Sequence, residues 1–358
     1  MKSKTKEKYL RNAIVFHNFP LFEIFGRHLP MADGSAKQGL NTRTVLLLRP
    51  TFQALEYVLA KRFHLLRAWE SPLPLTEFLA AQASPIRALL IRGNGSVFID
   101  AEILSSLPNL EIIVTNSVGL NFIDMAECAK RGVAVANGGN VVTEDVAEYA
   151  VGLLIDVLRR ISSADRCIRA GLWPPTGLFP LGSKIAGKRV GIVGLGHIGS
   201  EVAKRLDAFG CIISYYSRKQ KPSFTYTFYP NARTLAAQND ILIVCCTLNS
   251  DTYHIIDKDV MDALGKQGII INVGRGALVD EKELVRRLMQ GEIGGAGLDV
   301  FDNEPAVPRE LFTMDKVVLS PHCAVYTHES LADLFQLIVD NLEAFFSNRP
   351  LVSKVTEV

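Results

Sequence analysis

Apolar positions along this 358-residue chain fall into short runs separated by amphipathic stretches. Residues 42–48, 86–91, 111–115 and 133–136 are brief apolar runs that stop at polar, Gly or Pro signals, and they read as strands. Between them, 52–63, 101–104 and 123–129 carry helical spacing. The alternation resumes further on, with strands at 190–193, 211–216, 241–246, 268–273, 297–300 and 317–320. Helices are expected at 201–206, 259–264, 281–289 and 329–346. Strands that are apolar throughout, alternating with helices, imply a parallel sheet covered on both faces. The expected fold class is therefore α/β, with two Rossmann-like or flavodoxin-like parallel-sheet domains and a cleft between them. Residues 143–170 link the two sets and read as one helix. Thr143 can cap it, Glu144 and Asp145 suit its first turn, and 146–161 is apolar on most sides. Such a helix is buried, and its expected place is a seam between domains or between subunits.

One stretch breaks the apolar pattern in an informative way. The run 190–193 ends at Gly194-Leu195-Gly196-His197-Ile198-Gly199, and a helix and a second strand follow. Three glycines so spaced are weak evidence alone, but strand, turn, helix and strand together form a dinucleotide-binding unit. Gly194 suits the tight turn, Gly196 leaves bare backbone against a pyrophosphate, and Gly199 lets the helix approach the strand. All six residues from 194 to 199 are assigned to the cofactor, His197 as a contact and not as an acid. At the end of the second strand, where an acidic residue would select the ribose 2′-hydroxyl of NAD, the chain reads Ser217-Arg218-Lys219. A charge pair at ~4 Å is worth up to about 4 kcal/mol at an effective dielectric near 20. That exceeds the ~1.4 kcal/mol that changes affinity tenfold. The expected cofactor is NADP(H), with NAD(H) bound more weakly.

These readings divide the chain into an N-terminal extension at 1–40, a discontinuous substrate-binding domain at 41–140 plus 326–358, and an NAD(P)-binding domain at 141–325. Composition narrows the partners. A net charge of +2, with 48% hydrophobic and 21% charged residues, provides no basic field for nucleic acid or a membrane surface. No apolar run approaches the roughly 18 residues of a membrane span. The expected partner is a small molecule. Six cysteines without metal-type spacing read as reduced thiols, and no metal site is expected. The expected compartment is the cytoplasm. Lys2, Lys4, Lys6, Lys8 and Arg11 open the extension, and Met31 resembles a second start, so a plastid-targeting segment is the alternative.

Three strand ends past the glycine turn carry chemistry: Asn272-Val273-Gly274-Arg275-Gly276, then Asp299 to Glu304-Pro305, then Ser320-Pro321-His322. Ligands of open α/β sheets bind outside the carboxyl ends of the strands. Reducing a 2-oxo acid needs a hydride donor, a cation for the carboxylate and carbonyl, and an acid for the new alkoxide. An arginine binds a carboxylate through two N–H groups, and a histidine beside a carboxylate suits the acid role. Arg275, Glu304 and His322 are the catalytic candidates.

Together these motifs resemble the D-isomer-specific 2-hydroxyacid dehydrogenases over roughly residues 42–350. Within that family the chain is most similar to plant glyoxylate/hydroxypyruvate reductases and hydroxyphenylpyruvate reductases. The resemblance implies that Arg275 binds substrate, that Glu304 partners His322, and that His322 donates the proton. It places Val273, Gly274, Arg275 and Asp299 at the nicotinamide end of the cofactor. It places Val118 and Gly119 at the substrate carboxylate through backbone N–H groups. Trp173 resembles the residue that reaches a neighbouring subunit's active site, and the helix before it resembles a dimerisation segment, so a homodimer is expected. After the histidine the chain departs from the family, with Ala324-Val325-Tyr326 in place of a Gly-Ser-Ala-like stretch. Tyr326 could narrow the pocket toward glyoxylate and hydroxypyruvate or stack on an aromatic oxo acid. The leading expectation is an NADPH-dependent reductase of small 2-oxo acids to D-2-hydroxy acids. A 4-hydroxyphenylpyruvate reductase is the alternative, and a dinucleotide-sensing, corepressor-like binding protein is a third reading.

Overall fold

The computed structural model describes residues 43–93, 97–173 and 177–356. The expected extension at 1–40 lies outside these residues. The chain divides into two compact units, one running to Gly139 and resuming at His328, the other spanning Asn140–Thr327.

The first unit holds strands β1 (Thr44–Leu47), β2 (His64–Arg67), β3 (Ala88–Ile91), β4 (Ile112–Thr115) and β5 (Ala134–Ala136). Helices α1 (Gln53–Ala60), α2 (Leu75–Gln82), α3 (Ala101–Ser105) and α4 (Met125–Arg131) lie between them. The strands form one parallel sheet in the order β2-β1-β3-β4-β5. β1, β3 and β4 are buried along their whole length, which explains why their sequences are apolar except for Thr44 and Thr115. Asp100 caps α3 by accepting the Glu102 and Ile103 N–H groups, and Asp124 caps α4 by accepting the Glu127 N–H.

The second unit opens with helices α5 (Thr143–Arg159) and α6 (Ile161–Arg169). Strands β6 (Arg189–Val193), β7 (Ile212–Tyr216), β8 (Thr227–Tyr229), β9 (Ile241–Val244), β10 (Ile269–Asn272), β11 (Gly295–Leu298) and β12 (Val317–Leu319) follow. They form a parallel sheet in the order β12-β11-β10-β9-β6-β7-β8. Its helices are α7 (His197–Ala208), α8 (Ala232–Ala237), α9 (Lys258–Leu264) and α10 (Glu281–Gln290). Side chains alternate across the sheet. Val190, Ile192, Ile241 and Ile243 join one core with α5 and α7, while Val193, Leu242 and Val244 join another with α8, α9 and α10. The chain then returns to the first unit as α11 (His328–Phe346), where Phe335 meets Phe52 and Phe346 meets Phe63 at ring-centroid distances of 5.2 and 5.6 Å.

The structure corrects the reading of 143–170. The helix is two helices, broken at Arg160, whose φ of 57° is left-handed. Asp156 stitches the break, its backbone carbonyl accepting the Arg160 N–H at 2.6 Å and its carboxylate accepting the Ser162 N–H at 2.8 Å. Thr143 does not cap. It is the first helical residue, and Val142 precedes it without a side-chain bond. The apolar face of α5 fills the core of its own unit.

Candidate active site

The strand order reverses between β6 and β9, so the connections leaving their carboxyl ends lead to helices on opposite faces of the sheet, the arrangement that opens a crevice. Gly194 follows β6 at φ 99°, and its N–H donates to the Tyr216 carbonyl at the end of β7. A Cβ at Gly194 would stand 2.6 Å from the Cys246 Cα. One at Gly199 would stand 2.2 Å from the Gly194 carbonyl oxygen. The turn therefore needs both glycines for steric reasons. At Gly196 an added Cβ would meet nothing within 4 Å, and Gly196 caps α7 without a side chain of its own. Open space thus faces the first-turn N–H groups of a helix, the arrangement that suits a pyrophosphate. Leu195 is buried beneath the turn, while His197 and Ile198 begin α7. Ser217 bonds the Lys219 carbonyl through its hydroxyl at 2.6 Å, and Arg218 and Lys219 are exposed. The residues present fit a dinucleotide.

Two turns along the same sheet edge carry the charged groups. After β10, Asn272 closes its turn by donating to the Arg275 carbonyl at 2.9 Å and accepting the Gly274 N–H at 3.1 Å. Gly276 then presses on the turn after β11: a Cβ there would stand 1.9 Å from the Phe301 carbonyl carbon. This backbone contact brings Arg275 and Glu304 close enough for their charges to interact. Burial disfavours the Arg275 charge and Glu304 supports it, and a guanidinium stays ionised in a protein.

Glu304 uses one oxygen to accept the Phe301 N–H at 3.0 Å and places the other 2.7 Å from His322 Nδ1. Burial pushes its carboxyl up, but bonds from His322 and Phe301 and the charge of Arg275 outweigh this and hold it below the ordinary range. An ionised carboxylate can only accept, so Nδ1 is the donor. The imidazole is thereby oriented with Nε2 free to exchange its proton.

His322 has a φ of 53°, a left-handed conformation that a non-glycine residue holds only when its surroundings impose it. Asp299, buried just past β11, supplies that constraint. Its backbone carbonyl accepts the His322 N–H at 2.7 Å. Its carboxylate accepts from Ser320 Oγ at 2.7 Å, Cys323 N at 2.9 Å and Ala324 N at 3.0 Å. Tyr149 on α5 reaches the same loop, its hydroxyl 3.2 Å from Cys323 Sγ, and burial pushes that hydroxyl up to about 12. Neither this anchoring role of Asp299 nor Tyr149 is visible in the motifs, because the contacts join segments more than 20 residues apart.

A sequence model described as the NAD-binding domain of D-isomer-specific 2-hydroxyacid dehydrogenases matches residues 151–324. A glyoxylate/hydroxypyruvate reductase of Arabidopsis thaliana is 54% identical over 313 residues, covering 87% of this chain and 96% of the relative. The chain belongs to the D-isomer-specific 2-hydroxyacid dehydrogenases. Another member, the hydroxyphenylpyruvate reductase of Plectranthus scutellarioides, is 49% identical over 311 residues, covering 87% of this chain and 98% of its own. Among solved dehydrogenases of this kind is an NADPH-dependent glyoxylate/hydroxypyruvate reductase of Sinorhizobium meliloti, crystallised with NADP and malonate. It superposes with a TM-score of 0.81 at 35% identity, covering 87% of this chain and 96% of that one.

The remaining predicted residues of this dehydrogenase are distributed over both units. Val118 and Gly119 are in the first unit, in the turn after β4, where the Val118 carbonyl accepts from Asn137 Nδ2 at 2.9 Å. Trp173, beyond α6, is 54% exposed. Tyr326 is 49% exposed, with its N–H donating to the Cys323 carbonyl at 2.9 Å. Among the described residues all six cysteines are free, no three His, Cys, Asp or Glu side chains group as metal ligands, and no helix is long and apolar enough to cross a membrane.

Proposed function

We propose that this dehydrogenase is an NADPH-dependent reductase of small 2-oxo acids, converting glyoxylate to glycolate and hydroxypyruvate to D-glycerate. The observation that carries the reading is the Glu304–His322 pair at 2.7 Å, with Arg275 beside it. When bound, the cofactor supplies the hydride that reaches the carbonyl carbon of the substrate. Arg275 holds the substrate carboxylate and draws electron density toward the carbonyl oxygen. Glu304 stabilises the imidazolium, and His322 releases a proton from Nε2 to the new alkoxide oxygen. Glu304 then stays ionised while the imidazole cycles. Val118 and Gly119 are proposed as backbone donors to the substrate, and Val273, Gly274 and Asp299 as cofactor contacts.

The substrate class rests on the names of the Arabidopsis and Sinorhizobium relatives, while the Plectranthus relative favours the aromatic reading. Competition between hydroxypyruvate and 4-hydroxyphenylpyruvate in one reaction separates them. The proposal expects kcat/KM to favour hydroxypyruvate, and the opposite preference would transfer the assignment, with exposed Tyr326 the first residue to suspect.

Preference for NADPH is proposed from Ser217, Arg218 and Lys219. The double substitution S217D/R218A removes an attraction to the 2′-phosphate and adds a repulsion, so the ratio of kcat/KM for NADPH over NADH should fall by at least tenfold. An unchanged ratio would place selectivity elsewhere. A homodimer is proposed from the exposed apolar side chains Ile161, Ile168, Leu172, Trp173, Leu178 and Leu181, the last two 87% and 93% exposed. Sedimentation should give twice the 39.4 kDa chain mass, and a monomer at micromolar concentration would reject it.

A further inference from the structure

Glu281 is a half-buried carboxylate that the mechanism above does not use. It is the first residue of α10, directly after the Asp280 cap. Its Oε2 accepts the Asp302 N–H at 3.1 Å. Residue 302 lies inside the tight turn in which the Phe301 N–H donates to Glu304 at 3.0 Å and Glu304 meets His322 at 2.7 Å. Gly276 supports the same turn from beneath. A carboxylate, a backbone N–H and the Glu304–His322 pair thus form one short chain of contacts.

We infer that Glu281 is a positioning residue whose carboxylate clamps the 301–304 turn and whose negative charge strengthens proton retention by the Glu304–His322 pair. The inference rests on the reading of that pair as the proton-transfer couple. The charged groups facing Glu281 are Asp302 and Glu304 on the opposing turn, with Asp280 and Lys282 flanking it in sequence and Arg275 acting on Glu304. Burial, then repulsion from Asp302 and Glu304, raises the Glu281 carboxyl above its ordinary range, although the Asp302 N–H opposes this. Glu304 is held below its ordinary range. As pH falls, Glu281 therefore takes a proton before Glu304 does. The pair then loses a neighbouring negative charge, and its own last proton binds less tightly.

The test is an NMR titration of the full chain, followed on the ring carbons of His322 and assigned by comparison with H322N. Glu281→Gln retains an acceptor for the Asp302 N–H but has no charge, whereas Glu281→Asp retains the charge on a shorter arm. E281Q should lower the titration midpoint of the pair by roughly half a unit or more, and E281D should leave it close to wild type. In turnover, E281Q should move the alkaline limb of the kcat/KM pH profile to lower pH and leave the acid limb in place, because Glu281 is already protonated where Glu304 titrates, while E281D should lower kcat without moving either limb. An unmoved or raised midpoint in E281Q, or equal shifts in both variants, would overturn the inference. The titration requires no catalysis. Failure of the wild type to reduce any 2-oxo acid would reject the proposed function and would be distinct from an unmoved midpoint.

Discussion

His322→Asn lowers kcat for hydroxypyruvate by about 10²–10⁴-fold, the usual contribution of a positioned general acid, and leaves the Kd for NADPH nearly unchanged. Asparagine is the informative replacement because residue 322 has a φ of 53°, which asparagine adopts more readily than most side chains. The loop bonds to Asp299 run mainly through backbone N–H groups of 322, 323 and 324, so they survive the substitution. What is lost is the imidazole that Glu304 orients. The glycine turn at 194–199 belongs to other strand ends, which is why cofactor affinity should hold. Stopped-flow reduction together with fluorescence titration of NADPH separates the two quantities. A variant that turns over normally would remove His322 from proton transfer.

Arg275→Gln acts on a different parameter. The guanidinium is proposed to meet the substrate carboxylate in a buried setting, and truncating one partner of such a charge pair costs about 2–5 kcal/mol. kcat/KM should therefore fall by roughly 30- to 4,000-fold, with KM rising, and lysine should rescue little because a point charge cannot reproduce the paired N–H geometry. A second effect has a definite sign. Arg275 helps to hold Glu304 below the ordinary carboxylate range, so its removal raises the Glu304 carboxyl. Glu304 then protonates at higher pH, and the acid limb of the activity profile moves up. A loss of activity with an unmoved acid limb would mean that Arg275 binds substrate without influencing the pair.

Much of the fold could be read from the sequence because strands buried on both faces carry at most one polar position, at an end. β1, β3, β4, β9 and β10 are of this kind. The two strands that the pattern does not reveal, β2 and β8, are both sheet edges and only half-buried, so their apolar residues are too few to form a run. Helices α2 and α8 escape for a related reason: each is short and buries only a few side chains. Residues 143–170 mislead because apolar residues continue through Arg160 without Gly or Pro to mark the break, which depends on Asp156 and a left-handed residue.

At the site, the glycine spacing and the three strand-end motifs identify which residues carry chemistry, since each is confined to one turn. What holds those residues is not local. Gly276 supports the turn of Glu304, Glu281 bonds Asp302 across 21 positions, and Asp299 restrains a loop 21 to 25 positions away. Only the fold brings such partners together.

The most direct test of the account is to follow oxidation of NADPH and of NADH by the purified full chain, with glyoxylate, hydroxypyruvate, pyruvate and 4-hydroxyphenylpyruvate offered singly. NADPH should be oxidised rapidly with glyoxylate and hydroxypyruvate and NADH more slowly, and the reaction should be lost in H322N. Turnover confined to 4-hydroxyphenylpyruvate, or NADPH binding without reduction of any of the four acids, would contradict it.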